Sequence, residues 1–222
     1  MIMKMKIKSA GKLKMDPAVV ITMLALLAAT AAVSMMVGRY SISFGDVVSI
    51  LSGNYTDELE ASAIVLYART ARIAAAVMIG AALAAAGAAY QGIFRNPVVS
   101  PDILGAATGA GFGAALAILL GGSALAVQLS AFVFGLAAVA AAYAVSSRLT
   151  GGGGGGITIT LVLTGMVISS MFSAFISIIK FVGDPYDTLP SITFWLMGGL
   201  TYITKEDVLI MLIPFAISIV PL

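Results

Sequence analysis

The chain has 222 residues, of which 60% are hydrophobic and 10% charged, and its formal net charge is +2. Soluble domains carry about 25% charged residues, so a chain this apolar, with a mean hydropathy of +1.08, reads as an integral membrane protein built from long uncharged runs. It contains neither Cys nor His, which excludes disulfides, thiolate chemistry and His-ligated zinc or haem within the chain, and its few basic residues sit at the ends of apolar runs rather than in a patch for nucleic acid.

Residues 1–16 form a basic tail carrying Lys4, Lys6, Lys8, Lys12 and Lys14. The first span, Ala18–Val37, is about 20 residues, longer than the 7–15 of a signal-peptide core, and reads as a retained anchor. The segment Gly38–Thr70, with Asp57, Glu58 and Glu60, reads as a long, mildly acidic, solvated connector.

The second span, Ile73–Tyr90, has twelve Ala or Gly among its 18 residues. Small residues let helix backbones approach closely in lipid, so this span is expected to be enclosed by other helices. It ends in a polar elbow containing Gln91, Arg95, Asn96 and Pro97, where Asn-Pro terminates the helix. The third span, Ile103–Leu120, carries Gly105, Gly109 and Gly113 at four-residue spacing, a packing pattern. The fourth is Ala124–Val145.

Six consecutive glycines, Gly151–Gly156, read as a flexible connector. A phosphate-cradling loop needs a following Lys-Ser/Thr, and Ile157-Thr158 is not that. The fifth span, Ile157–Ile179, places Gly165, Ser169, Ser173 and Ser177 at spacing four, with Ser170 beside them. They cover one face, which either hydrogen-bonds a neighbour or borders a wet path. Leu189–Leu200 is too apolar for a plain loop and too short to span, and reads as a surface-lying or re-entrant helix around Trp195. The run Val208–Leu222 is an incomplete sixth span, and its end inside an apolar stretch reads as a piece of a longer subunit.

The fold class is therefore an all-α polytopic membrane protein with five complete transmembrane helices plus part of a sixth, residues 1–222 forming one transmembrane domain. With the N-terminus cytoplasmic, the inside holds the five lysines, Arg95 and Arg148, while Arg39, Arg69, Arg72, Lys180 and Lys205 lie outside, as the positive-inside bias asks. Asp, Glu, Lys, Arg and His are absent between Arg72 and Arg95, between Asp102 and Arg148, and from Leu149 to Ile179. That weighs against intrinsic proton coupling and against chemistry inside the membrane; energy for uphill transport would enter through a partner.

One stretch carries a specific pattern: Arg69-Thr70-Ala71-Arg72, Ile79-Gly80-Ala81, Ala86-Gly87-Ala88, Gln91, Arg95-Asn96-Pro97-Val98-Val99, Pro101, Leu104-Gly105 and Gly109-Ala110, followed later by Trp195-Leu196-Met197-Gly198-Gly199-Leu200. In order and spacing this resembles the FecCD/BtuC-like permease family, the membrane subunits of ATP-binding-cassette importers for iron–siderophores, haem and cobalamin. The resemblance covers most of the chain and about the first two-thirds of a typical family subunit.

It implies the N-terminal part of a ten-helix permease fold in the cell (plasma or inner) membrane, paired with a second permease copy, a homodimer or close heterodimer. Two ATP-binding-cassette subunits, which bind the ATP, and an extracytoplasmic solute-binding protein complete the complex. This chain is then a transporter subunit with no catalytic residues, metal or cofactor of its own. The resemblance further implies that Gly165, Ser169, Ser170, Ser173 and Ser177 line the translocation pathway along the dimer axis. It implies that Arg69 and Arg72 meet acidic residues of the binding protein, although anchoring at lipid headgroups explains them equally well. Trp195, Gly198 and Gly199 fall near an outer gate, and Gln91, Arg95, Asn96 and Pro97 form a cytoplasmic elbow. Ala71 stands where the family has Pro, and Gly199 where it has Ser. A gradient-driven secondary transporter or channel is the alternative that the spans alone leave open.

Overall fold

The structure, a computed structural model, describes residues 16–53, 60–95, 100–150 and 157–219. Among these residues every regular element is a helix. They are α1 (Pro17–Met36), α2 (Phe44–Leu51), α3 (Glu60–Phe94), a 3-10 turn (Pro101–Leu104), α4 (Ala106–Leu119), α5 (Ala124–Leu149), α6 (Ile157–Val182), α7 (Thr188–Met197) and α8 (Lys205–Ile219). Four of them, α1, α3, α5 and α6, are long and apolar enough to cross a bilayer. The chain divides into two compact units, one of residues 1–74 with 203–208 and one of 75–202 with 209–222.

In the first unit, α1 starts where Asp16 accepts a 3.0 Å bond from the Ala18 amide and Pro17 occupies the first helical position, both favourable at a helix start. It fully buries no residue within the chain, as suits an apolar membrane span, although Met35 and Met36 in its last turn pack against the core that α2 and α3 build. The segment read as a connector is, where described, largely helical, with Asp57 and Glu58 outside the described residues. Ser43 caps α2 by accepting from the Asp46 amide at 3.2 Å, and α3 begins at Glu60, not at Ile73. The reason is a small core. Ile42, Val47 and Ile50 bury themselves against Ala63 and Leu66, and the residues from Glu60 to Arg72 include neither Gly nor Pro to stop a helix. At 35 residues, α3 is about 52 Å long.

The second unit is organised around α4, which packs on α5, α6 and α7. The third span expected at Ile103–Leu120 is divided. Its first residues belong to the 3-10 turn, Gly105 breaks the direction with φ +81°, and α4 proper has 14 residues. A left-handed backbone is open to glycine at little cost. The glycine periodicity then acts as packing. A Cβ on Gly109 would lie 2.6 Å from Ala138 Cβ, and one on Gly113 would lie 2.8 Å from the Ser130 carbonyl carbon. The Ser130 hydroxyl donates to the Gly113 carbonyl at 2.7 Å, tying α5 to α4. Phe112 stands at the junction, with ring centroids 5.0 Å from Phe134 and 5.4 Å from Phe172.

The small-residue second span is not enclosed by the described residues. A methyl added at Gly80, Gly87 or Gly92 meets nothing within 4 Å. The helices α4, α5 and α6 satisfy one another, and in this unit α3 joins their core through Tyr90 and Phe94 near its end.

Candidate functional site

The hydroxyl-bearing face of α6 divides into two. Gly165 is buried against the 3-10 turn, where an added Cβ would come within 2.9 Å of Leu104 Cα and closer still to the Ile103 carbonyl oxygen. Ser169 lies one turn on, against Gly105. Gly165 therefore faces protein, because the turn needs a site without a side chain to seat on α6, while Ser169 is half-buried beside it. Ser170, Ser173 and Ser177 are exposed. Ser170 donates to the Met166 carbonyl at 2.9 Å and Ser177 to the Ser173 carbonyl at 3.0 Å. Such bonds to the preceding turn satisfy the hydroxyl hydrogens without a partner helix and leave lone pairs turned outward. The edge formed by these three serines is polar, uncharged and uncovered, flanked by exposed Met166, Val167 and Phe181.

Arg69 takes a part that its sequence position conceals. Its guanidinium donates to the Met35 carbonyl at 2.6 Å and to the Tyr40 carbonyl. Met35 is in the last turn of α1, whose terminal carbonyls have no intrahelical partner and carry the negative end of the helix dipole. Arg69 is thus a clasp that caps α1 from α3 across 34 residues of sequence. Gly38 makes the clasp possible, since a Cβ there would run into the guanidinium, 3.0 Å from its central carbon. No local motif signals this clasp; in the sequence Arg69 reads, with Arg72, as a residue that docks the binding protein or anchors at lipid headgroups. Arg72, one turn further along α3, is exposed. On the same unit Lys205 Nζ sits 3.9 Å over the Tyr67 ring.

Trp195 is partly exposed on α7, while its neighbour Leu196 points at Gly111 of α4 and Ile192 is fully buried beside Ala115 and Ile179. Gly198 ends α7 with φ +71° and its amide bonds to the Trp195 carbonyl at 3.1 Å; Gly199 has open space around it. Of the elbow, Gln91 is exposed in the last turn of α3, and Arg95 ends that helix at φ +50°. Asn96 and Pro97, like the glycine run 151–156, lie outside the described residues. Among the described residues no cluster of acidic side chains could hold a metal ion.

The sequence model of the FecCD transport family matches residues 26–222. The molybdate import system permease protein MolB of Haemophilus influenzae is 35% identical over 203 residues, covering 90% of this chain and 59% of the relative. An iron chelatin transport system permease protein of Helicobacter pylori is 36% identical over 169 residues, 76% of this chain and 49% of the relative. The vitamin B12 import system permease protein BtuC of Salmonella paratyphi A is 33% identical over 154 residues, 68% of this chain and 46% of the relative. A solved structure of an inward-facing metal-chelate type ABC transporter superposes with a TM-score of 0.71 at 33% identity, covering 90% of this chain and 58% of that one. The chain thus spans about half to three-fifths of the length of these relatives.

Proposed function

This chain belongs to the FecCD transport family, and on that premise we propose that it is the membrane-spanning permease subunit of an ATP-binding-cassette importer. Its cargo is a metal chelate such as an iron–siderophore or haem, or cobalamin; the likeness to a molybdate permease adds an oxyanion to that set. Two partner ATPases bind and hydrolyse the ATP, a second permease copy completes the pathway, and an extracytoplasmic binding protein delivers the solute. The N-terminus faces the cytoplasm, and residues 1–222 form part of one transmembrane domain.

The observation that carries this reading is the uncovered serine edge of α6, within a chain whose spans hold almost no charge. Ser170, Ser173 and Ser177 are the pathway residues, with Gly165 and Ser169 seating the same helix on its neighbours. A hydroxyl edge wets a path without a fixed charge that would trap a large chelate. Arg72 docks the binding protein at the outer surface, held in register by the Arg69 clasp behind it, since rim charge pairs steer and orient a partner. Trp195, Gly198 and Gly199 border the outer gate, and the Gln91–Pro97 elbow faces the ATPases. The uncovered face of α3 supports an assembly larger than this chain, because tight packing of small residues is a main source of helix association in lipid.

Purification of the complex from its native membrane, followed by uptake into sealed vesicles, tests the proposal. We expect co-purification of a nucleotide-binding subunit and uptake of one cargo class that requires ATP and falls when Ser173 is replaced by Leu. Recovery of the permease without an ATPase, with flux driven by an ion gradient, would refute it.

A further inference from the structure

The short helix α2 carries two apolar faces, and the core of the first unit uses one of them. At ~100° per residue, Phe44, Val48 and Leu51 share an arc of about 60°, Val47 and Ile50 share the adjoining arc, and Asp46 and Ser49 fall on the remaining side. Val47 and Ile50 are buried with Ile42 against Ala63 and Leu66 of α3. Phe44, Val48 and Leu51 are 63%, 49% and 56% exposed. Apolar residues scattered singly over a surface need no explanation, but three aligned at i, i+4 and i+7 form a stripe. The position of α2 in the unit says what meets that stripe. Met35 and Met36, the last residues of α1, pack into the same core as Val47 and Ile50, and the Ile42 amide donates to the Met36 carbonyl at 3.2 Å. Thus α2 lies against the end of a 20-residue helix long and apolar enough to cross the bilayer, at the level where hydrocarbon gives way to headgroups. Arg39 and Tyr40, in the turn between the two helices, are exposed and are residue types that mark this level. The lipid-facing surface of α1 therefore runs directly up to α2.

We propose that α2 is an interfacial membrane helix, with the stripe of Phe44, Val48 and Leu51 seated among lipid acyl chains beside α1. Helices of this kind bury an apolar face about 5–10 Å into the boundary between headgroups and acyl chains and keep a polar face toward water; Asp46 and Ser49 stand on that polar side. Protein core and lipid then divide one continuous apolar arc of α2 between them. The seat acts on the turn that Arg69 holds. Arg69 binds the Met35 and Tyr40 carbonyls on the α1 side of that turn, and α2 anchors its other side, so that together they fix the depth of the junction of α1 with α3. The inference rests on α1 spanning the bilayer, not on the importer reading or on any cargo.

The test is site-specific fluorescence on the purified full complex reconstituted in phosphatidylcholine vesicles. The 222 residues contain no Cys. With cysteines elsewhere in the complex replaced, Val48→Cys, Leu51→Cys, Gly45→Cys and Ser49→Cys can each carry an environment-sensitive NBD label, and none of the four is a buried residue of α2. Quenching is read with a phosphatidylcholine bearing a nitroxide near the head of its acyl chain and, separately, with aqueous iodide. We expect blue-shifted emission and several-fold stronger nitroxide quenching at Val48 and Leu51 than at Gly45 and Ser49, with the order reversed for iodide. Two positions on each side keep the comparison readable if one label disturbs folding. Iodide quenching at all four positions would overturn the proposal and leave the stripe in water. Shielding of Val48 and Leu51 from both quenchers would overturn it as well and assign the stripe to a protein partner. So would nitroxide quenching that did not distinguish the two sides, because α2 would then have no face toward water. ATP-driven uptake measured on the same preparation reports separately on the importer reading.

Discussion

Replacing Gly113 by Ala adds one methyl group at the closest approach of α4 and α5. That carbon would lie 2.8 Å from the Ser130 carbonyl carbon and 2.9 Å from Phe134 Cβ, whereas carbon atoms rest at about 3.5–4.0 Å. Two of the obstructing atoms are backbone, so no rotamer change relieves the clash, and the helices must part by roughly 0.7 Å. Overpacking of this kind costs about 1–3 kcal/mol. The separation also lengthens the 2.7 Å bond from Ser130 to the Gly113 carbonyl, and an interhelical bond in a membrane is worth about 0.6 kcal/mol, at most ~1.7. The sum is a loss of about 2–4 kcal/mol. Gly87→Ala is the same chemical change on α3, where the methyl meets nothing within 4 Å; there it gains roughly 0.5–1 kcal/mol through helix propensity. The chain contains one tryptophan, Trp195, on the helix that packs against α4. Its fluorescence therefore reports SDS-driven unfolding from mixed micelles. Unfolding free energies of the two variants within about 0.5 kcal/mol of each other would refute the assignment of this glycine to backbone contact.

Three further outcomes are expected. Arg69→Ala should cost about 1–3 kcal/mol by stranding the Met35 and Tyr40 carbonyls; Arg69→Lys should not restore it, because a point charge cannot span both. Amide exchange at Ile42, whose N–H bonds to the Met36 carbonyl at 3.2 Å, should quicken in both variants. Ser146 is buried and its hydroxyl has no partner among the described residues, so Ser146→Ala should leave stability unchanged or raise it by up to ~1 kcal/mol, read by the same titration. Thr204 and Asp207 form a reciprocal cap at the start of α8, with the Thr204 amide and hydroxyl each 2.9 Å from the Asp207 carboxylate, and these bonds hold its pKa below the usual value. A depressed folded-state pKa contributes stability above the unfolded value, near 3.9, and loses it as pH falls through the folded one. Exchange at Val208 should therefore quicken below about pH 4, and Asp207→Asn should show the acid behaviour at neutral pH.

The membrane class and the runs that became α1, α5 and α6 were legible because a bilayer imposes length and polarity directly on sequence. Gly109 and Gly113 announced packing, and the structure identifies the partners as Phe134, Ala138 and Ser130. The family resemblance, read from the arginine-to-glycine hairpin, agrees with the match over residues 26–222. What stayed hidden depends on contacts distant in sequence. The acids around Asp57 masked the extension of α3, whose first turns are held by Ile42, Val47 and Ile50. Periodicity placed Gly165 with the serines on one face, but only the 3-10 turn decides which part of that face is covered. The Arg69 clasp pairs a side chain with carbonyls of another helix, and carbonyls leave no trace in residue identity.

The brevity of α4 has its own consequence. Its 14 residues rise about 21 Å, against a hydrocarbon thickness near 30 Å. Hydrophobic mismatch sets the tilt of helices that touch lipid, but α4 is surrounded by α5, α6 and α7 and its solvent is protein. In thicker or thinner bilayers α1 and α3 would adjust their tilt, while the α4 contacts with α5 at Gly109 and Gly113, and with α6 and α7 at Gly111, would keep their register. The α4 contacts are thus the fixed reference about which the lipid-facing helices accommodate a changing membrane.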